Sequence, residues 1–256
     1  MPAAKHARRT LEKPAALVVF DCDSTLSRIE GITELAGEHR TEVERLTDAA
    51  MRGEVPLDQV YGRRLELVRP TRARVAEVAR AYMERIVDHA AETVAALHAV
   101  GVDVRVVSGG IFQAVAPFAA ELGIAPEKVA AVAVRFDEQG AYASFDEDAP
   151  AARAGGKRDI MRAWRAEVGG PAVLVGDGAT DLEARSAVDL FIAFTGVKER
   201  PEVVAGADAV VGSTSLTPIL PLVLAGREPE QQEARRWYRV GVEILEAQNP
   251  NRGTQA

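Results

Sequence analysis

Short apolar runs alternate along this chain with longer stretches of helical periodicity. Leu17–Phe20, Val102–Val107, Ala172–Val175 and Leu190–Phe194 are short apolar runs of strand length, the second with Asp103 and Arg105 between its valines. Runs of this kind belong to strands buried on both faces of a parallel sheet. Three helical patterns accompany them. His89–Val100 carries Ala90, Val94 and Leu97 and closes at Gly101; Phe112–Leu122 closes at Gly123; Asp159–Val168 closes at Gly169-Gly170. A glycine just past a helix readily takes the left-handed conformation that ends it. Strand and helix alternating from about residue 88 to 200 predict an α/β core, a doubly wound parallel sheet of Rossmann-like type.

Residues 29–87 break this rhythm. They read as successive helices over Gly31–Ala36, Thr41–Met51, Leu57–Val68 and Thr71–Ile86, with Pro56 and Pro70 marking starts and Thr71 offering an N-cap. The expected organisation is a core of 15–28 and 88–225, with a small helical cap, 29–87, inserted after the first strand. An insert there lies over the carboxyl ends of the strands, as a lid would. Val132–Phe136 and Ala141–Phe145, on either side of Gln139-Gly140, predict a β-hairpin. Residues from Glu228 to Ala247 are charged and amphipathic, and 1–14 and 248–256 read as flexible tails.

Composition narrows the partners. The 256 residues carry 31 Lys and Arg against 38 Asp and Glu, a net charge of -7. That balance argues against nucleic acid and anionic membrane as partners. An anionic substrate must then be drawn in by a local positive site. One cysteine, Cys22, excludes an internal disulfide and a cysteine-only zinc site. No apolar run approaches the roughly 18 residues of a membrane span, so the expected compartment is the cytoplasm.

The first apolar run ends in Asp21-Cys22-Asp23-Ser24-Thr25. Strand interiors avoid Asp, and open α/β sheets bind ligands at the carboxyl ends of their strands. This pair therefore points to a metal site, a nucleophile, or both. Three other segments adjoin strand or helix ends: Ser108-Gly109-Gly110, Gly155-Gly156-Lys157 and Gly176-Asp177-Gly178-Ala179-Thr180-Asp181. Taken singly, each has a plain alternative. Asp at a strand end often caps a turn, Ser108 could cap the following helix, Lys157 could be a surface charge, and Cys22 reads as core. Together they suit phosphoryl transfer to a carboxylate. Asp21 and Asp177 offer hard oxygen ligands for Mg²⁺, with a backbone carbonyl at Asp23. Ser108, Gly109, Gly110 and Lys157 offer donors to phosphate, and Asp23 is free to move protons.

In this order and spacing, the four segments resemble the motifs of the haloacid dehalogenase superfamily and, within it, of the phosphoserine phosphatases, over roughly residues 15–220. The resemblance implies a Mg²⁺-dependent phosphomonoesterase whose substrate is a small phosphorylated metabolite, phosphoserine first, with a place in serine biosynthesis. It implies Asp21 as the nucleophile forming an aspartyl-phosphate and Asp23 as general acid/base. Asp21, Asp23 and Asp177 would form the metal site, with Asp181 in support. Ser108, Gly109, Gly110 and Lys157 would hold the phosphate. Glu30 stands where the family recognises the substrate amine, and Arg64 where it clamps the carboxylate; Met51 and Leu57 match shielding positions, and Thr180 a substrate contact. The chain departs from the family at Ala131-Val132-Ala133-Val134, in place of Asn-Arg, at Leu57, where an aromatic is common, and in the stretch from Glu228. Those departures leave, as an alternative, a phosphatase or phosphotransferase for another small phosphorylated amine or metabolite. A phospho-acceptor signalling module shares the Asp, metal, hydroxyl and Lys, but lacks an acid/base two residues after the acceptor and a helical cap.

Overall fold

The computed structural model describes residues 9–52 and 54–248, apart from the side chains of Met51 and Leu57. Of the expected tails at 1–14 and 248–256, residues 1–8 and 249–256 lie outside the described residues, and Gln248 belongs to the last helix. Eight strands occur among those described: β1 Leu17–Phe20, β2 Asp103–Ile111, β3 Val129–Val132, β4 Val134–Phe136, β5 Tyr142–Phe145, β6 Ala172–Gly176, β7 Leu190–Phe194 and β8 Ala209–Val211. Six form one parallel sheet in the order β3-β2-β1-β6-β7-β8, while β4 and β5 pair antiparallel as a separate hairpin.

The sequence explains this sheet. β1 is buried along its whole length. Its side chains alternate, Val18 and Phe20 entering one apolar cluster and Leu17 and Val19 the other. Both sheet faces are therefore covered, as a parallel sheet requires. The chain steps outward from β1 to β2 and β3, then returns beside β1 at β6 and steps the other way. That reversal opens a crevice at the carboxyl ends of β1 and β6. The register sets Phe20 opposite Val175, and the Asp21 N–H donates to the Val175 carbonyl at 2.9 Å. Asp21 and Asp177 are thus delivered to the same crevice.

Four helices of the insert follow β1: α1 Gly31–Leu35, α2 Arg40–Met51, α3 Leu57–Val68 and α4 Arg72–Glu84. Thr71 caps α4, its hydroxyl accepting the Arg74 N–H at 3.3 Å. Arg69 ends α3 in the left-handed conformation just before Pro70. The two connections to the core run side by side, with Ser27 bridged antiparallel to Ile86. The Ser27 hydroxyl also lies 3.0 and 3.1 Å from the carbonyls of Tyr82 and Arg85. The core helices are α5 Ala90–Ala99, α6 Phe112–Glu121, α7 Gly156–Val168, α8 Ala179–Ala184, α9 Pro201–Gly206, α10 Ile219–Val223 and α11 Gln232–Gln248. The last packs on α5 and α10, burying Ala234, Tyr238 and Gly241.

Several boundaries differ from expectation. Val129–Val132 joins the main sheet as β3, so the hairpin begins at Val134, not Val132. One apolar stretch is shared by two sheets and broken at Ala133, whose carbonyl accepts the Asp146 N–H at 2.8 Å. β2 runs on through Ser108-Gly109-Gly110 to Ile111, with its register against β3 shifting after Val107. α7 begins at Gly156 rather than Asp159, because Gly155 makes the positive-φ turn that starts it.

Candidate active site

Four strand ends and one helix start build the crevice. Asp21 follows β1 and is buried. Its Oδ1 accepts the Cys22 N–H at 2.8 Å, and its Oδ2 lies 3.0 Å from Lys157 Nζ. Lys157 comes from the first turn of α7 and is buried too. Its ammonium reaches Asp181 Oδ1 at 2.7 Å, while Asp181 Oδ2 accepts the Gly178 N–H at 3.0 Å. Asp177 follows β6, forms an ion pair with Arg200 and accepts from Thr25 Oγ1 at 3.3 Å. Gly176 makes the crossing possible, since a Cβ there would collide with the Asp181 carboxylate.

The electrostatics are those of an underneutralised acidic cluster. Burial, then Asp181, push the Asp21 carboxyl well above its ordinary range, against the pull of Lys157. Burial raises Asp177 to about 7, although Arg200 opposes it. Burial would lower the Lys157 ammonium, but Asp181 and Asp21 outweigh it and hold it above its usual value. Ligand oxygens of Asp21, Asp177 and Asp181 lie within 4.8 Å of one another, all three residues being buried. Carboxylates that resist ionisation side by side need a further cation, and an all-oxygen donor set suits a hard divalent ion such as Mg²⁺.

Asp23 faces elsewhere. Its Oδ1 accepts the Tyr82 hydroxyl at 2.6 Å and the Gly31 N–H at 3.2 Å. Burial, reinforced by Glu30, raises its carboxyl from 3.8 to about 7. At the other side of the crevice, Ser108 is fully buried and its Oγ accepts the Gly110 N–H at 2.9 Å. That bond uses a lone pair and leaves the Ser108 proton free to be donated. Thr180, at the start of α8, is buried with no partner for its hydroxyl among the described residues.

The helical insert supplies the rest. Glu30 Oε1 accepts from Ser24 Oγ at 2.8 Å and lies 3.5 Å from Lys198 Nζ and 3.8 Å from Arg200 Nη2. Arg64 of α3 is buried, with Nη1 donating to Thr47 Oγ1 at 3.1 Å and its Nε without a partner among the described residues. Its guanidinium lies 5.2 Å from the centre of the Tyr61 ring. Burial lowers its pKa, while Tyr61, Glu30 and Asp23 act to raise it. Met51 ends α2 and Leu57 begins α3, but their side chains lie outside the described residues.

Asp21, Lys157, Asp177 and Asp181 are thus brought together as expected, while the Asp23 side chain turns away from the metal cluster toward the insert. Cys22 is buried core. Tyr82, Thr25, Lys198 and Arg200 are members that motif reading passes over. Arg200 carried a signal: the loop after β7 is another strand end at the same crevice. Tyr82 carried none, since an aromatic in a helical stretch reads as core.

Comparison with known proteins agrees with this geometry. The family profile for haloacid dehalogenase-like hydrolases matches residues 18–185. The chain is 38% identical over 200 residues to the chloroplastic phosphoserine phosphatase of Arabidopsis thaliana, covering 76% of this chain and 68% of that one. It is 36% identical over 198 residues to the phosphoserine phosphatase of Homo sapiens, covering 76% of this chain and 88% of that one. Among solved structures, a phospho-aspartyl intermediate analogue of phosphoserine phosphatase superposes with a TM-score of 0.72 at 28% identity, covering 81% of this chain and 98% of that one. A substrate-bound phosphoserine phosphatase complex gives 0.72 at 27% identity, covering 82% and 98%. The chain belongs to the haloacid dehalogenase-like hydrolase family, among its phosphoserine phosphatases.

Proposed function

We propose that the protein hydrolyses L-phosphoserine to L-serine and phosphate, with Asp21 as nucleophile and Asp23 as general acid/base. The observation that carries this reading is the division of labour between two neighbouring carboxyls. Asp21 faces Lys157 inside the acidic cluster, while Asp23 is raised to about 7 and faces the helical insert. A carboxylate attacks phosphorus only when the phosphoryl charge is offset. The donor set fits Mg²⁺, which would be held by Asp21 and Asp177, with the Asp23 main-chain carbonyl and support from Asp181, and would supply Lewis-acid charge neutralisation.

The chain's own groups do the remaining work. Lys157 and the Ser108 hydroxyl, with the Gly109 N–H, would bind the phosphoryl oxygens; the Gly110 N–H, expected to join them, is instead spent on Ser108 Oγ. The Asp21 carboxylate forms the bond to phosphorus as the bond to the serine oxygen breaks. The Asp23 proton passes to that oxygen, releasing serine. Asp23, now a carboxylate, takes a proton from water as the water oxygen attacks the aspartyl-phosphate, freeing phosphate and restoring Asp21. Glu30 suits the substrate ammonium, and the unpartnered Arg64 donor suits its carboxylate. Thr180 offers a further donor. Met51 and Leu57 would shield the site, and residues 29–87 would act as a lid that excludes water during the first transfer. Release of serine by such a reaction would suit a place in serine biosynthesis.

Phosphate release from L-phosphoserine, phosphoethanolamine and sugar phosphates, measured with Mg²⁺, tests the substrate. A preference for phosphoserine that disappears in Arg64→Ala supports it. Equal turnover of the panel, or none, contradicts it.

A further inference from the structure

The hydroxyl of Tyr82 occupies a point where three segments meet. It belongs to α4, yet its hydrogen bond goes to Asp23 Oδ1 at 2.6 Å. Gly31 of α1 gives the same oxygen its N–H at 3.2 Å. Both bonds land on Oδ1, leaving Oδ2 for the proton that Asp23 moves. The tyrosine is fully buried, and its ring stacks on Phe118 of α6 with centroids 5.4 Å apart.

Two glycines make room for this hydroxyl. A Cβ at Gly31 would collide with it, and a Cβ at Gly110, in the phosphate loop, would stand 3.3 Å away. A buried phenol needs a partner, and a backbone acceptor would have satisfied that need. Here the partner is the acid/base carboxyl, and the surrounding chain is kept free of side chains where the hydroxyl sits.

We propose that Tyr82 is a positioning residue for proton transfer, fixing the Asp23 carboxyl through Oδ1 so that Oδ2 delivers its proton to the leaving oxygen. This rests on Asp23 being the acid/base of the proposed reaction. In that step the bond from Asp21 to phosphorus forms, the phosphorus–oxygen bond to the alcohol breaks, and the Oδ2 proton ends on the alcohol oxygen. A leaving group that is already a stable anion, such as p-nitrophenolate, departs without that proton.

The test compares kcat/KM of wild type and Tyr82→Phe for L-phosphoserine and for p-nitrophenyl phosphate, both with Mg²⁺. The expected loss is about tenfold or more on phosphoserine, within the range general acid catalysis supplies, and about twofold or less on p-nitrophenyl phosphate. KM for phosphoserine should stay within about threefold, so that the loss falls in kcat. Equal losses on both substrates, or none on either, overturn the proposal. Gly31→Ala gives a second approach that keeps the tyrosine but displaces its hydroxyl. It should show the same selective loss, and it should cost less in the Tyr82→Phe background than alone. Additive losses there overturn the proposal; where Tyr82→Phe folds poorly, equal losses from Gly31→Ala on both substrates, or none on either, overturn it instead. Wild type that turns over p-nitrophenyl phosphate but not phosphoserine removes the substrate assignment only; the Tyr82 comparison is then read on phosphoethanolamine or whichever alkyl phosphate of the panel is hydrolysed. Wild type that turns over no phosphomonoester removes both.

Discussion

Asp21 and Asp23 stand two residues apart, yet their neighbours give them different chemistry. Lys157 faces Asp21 at 3.0 Å and favours its charged, attacking form. Asp23 has no cation this close; Tyr82 and Gly31 hold one oxygen, and Glu30 helps keep the carboxyl near 7. Asp21→Asn should therefore lower phosphate release by roughly 10³-fold or more, since it removes the nucleophile rather than weakening it. Arg64→Ala should act on binding. Removing one partner of a buried charged pair costs roughly 2 kcal/mol or more, about 30-fold in kcat/KM for phosphoserine. Phosphoethanolamine, which has no carboxylate, should lose far less. A similar loss for both compounds would show that Arg64 supports the fold instead.

At the scale of elements, each group is placed by a strand end or a helix start. The start of α7 is the tightest. Gly156 packs so closely on Pro150 that a Cβ would run into the Pro150 carbonyl. Gly156→Ala must shift the turn that presents Lys157, and should destabilise the protein by roughly 1–3 kcal/mol, as overpacking does. Denaturant titration should show the lower midpoint, accompanied by reduced activity; an unchanged midpoint would mean that the loop yields freely. The four central apolar runs were legible in the sequence because strands buried on both faces are predominantly apolar, even where Asp103 and Arg105 interrupt β2, and β1 and β7 have the expected bounds. β3 and β8 were not, because Val129–Val132 merges with the hairpin and Ala209–Val211 has only three residues. Asp21 and Asp177 stood out for a related reason, since a carboxylate at the end of an apolar run has no packing role, whereas Lys157 stood out only through Gly155-Gly156-Lys157 at a helix start. Tyr82 acts through tertiary approach alone, which no spacing in the chain records, whereas Arg200 follows β7, a strand end legible in the sequence. The helical insert is joined to the core through Ser27 and Ile86. If 29–87 closes over the crevice, its protease sensitivity should change when a phosphate analogue binds the Mg²⁺-loaded protein. Identical digestion patterns would argue against a lid.

Across the whole molecule, a net charge of -7 repels an anionic substrate, and the crevice answers with Lys157, Arg64, Arg200 and Lys198. The described residues include no helix long and apolar enough to cross a membrane. The acidic cluster also links stability to pH. Asp23 and Asp177 have pKa values near 7 in the folded protein, against an ordinary 3.8. Between those values the folded state binds protons that the unfolded state has released. Their stabilising contribution is therefore complete below about pH 3.8 and is lost as pH rises through about 7. Above that range the metal-free site carries uncompensated charge at Asp177, which a bound Mg²⁺ would offset. The rise in Tm on adding Mg²⁺ should be larger at pH 8 than at pH 5. Equal shifts at the two pH values would mean that the cation binds elsewhere.

The central claim is that the phosphoryl group passes through the Asp21 carboxylate. Turnover of phosphorus-labelled L-phosphoserine with Mg²⁺, quenched in acid and followed by peptide mapping, tests it most directly. The label should appear on the peptide carrying Asp21 in wild type and be absent from Asp21→Asn, which should also release no phosphate. Label on another residue, or steady phosphate release by Asp21→Asn, would contradict it.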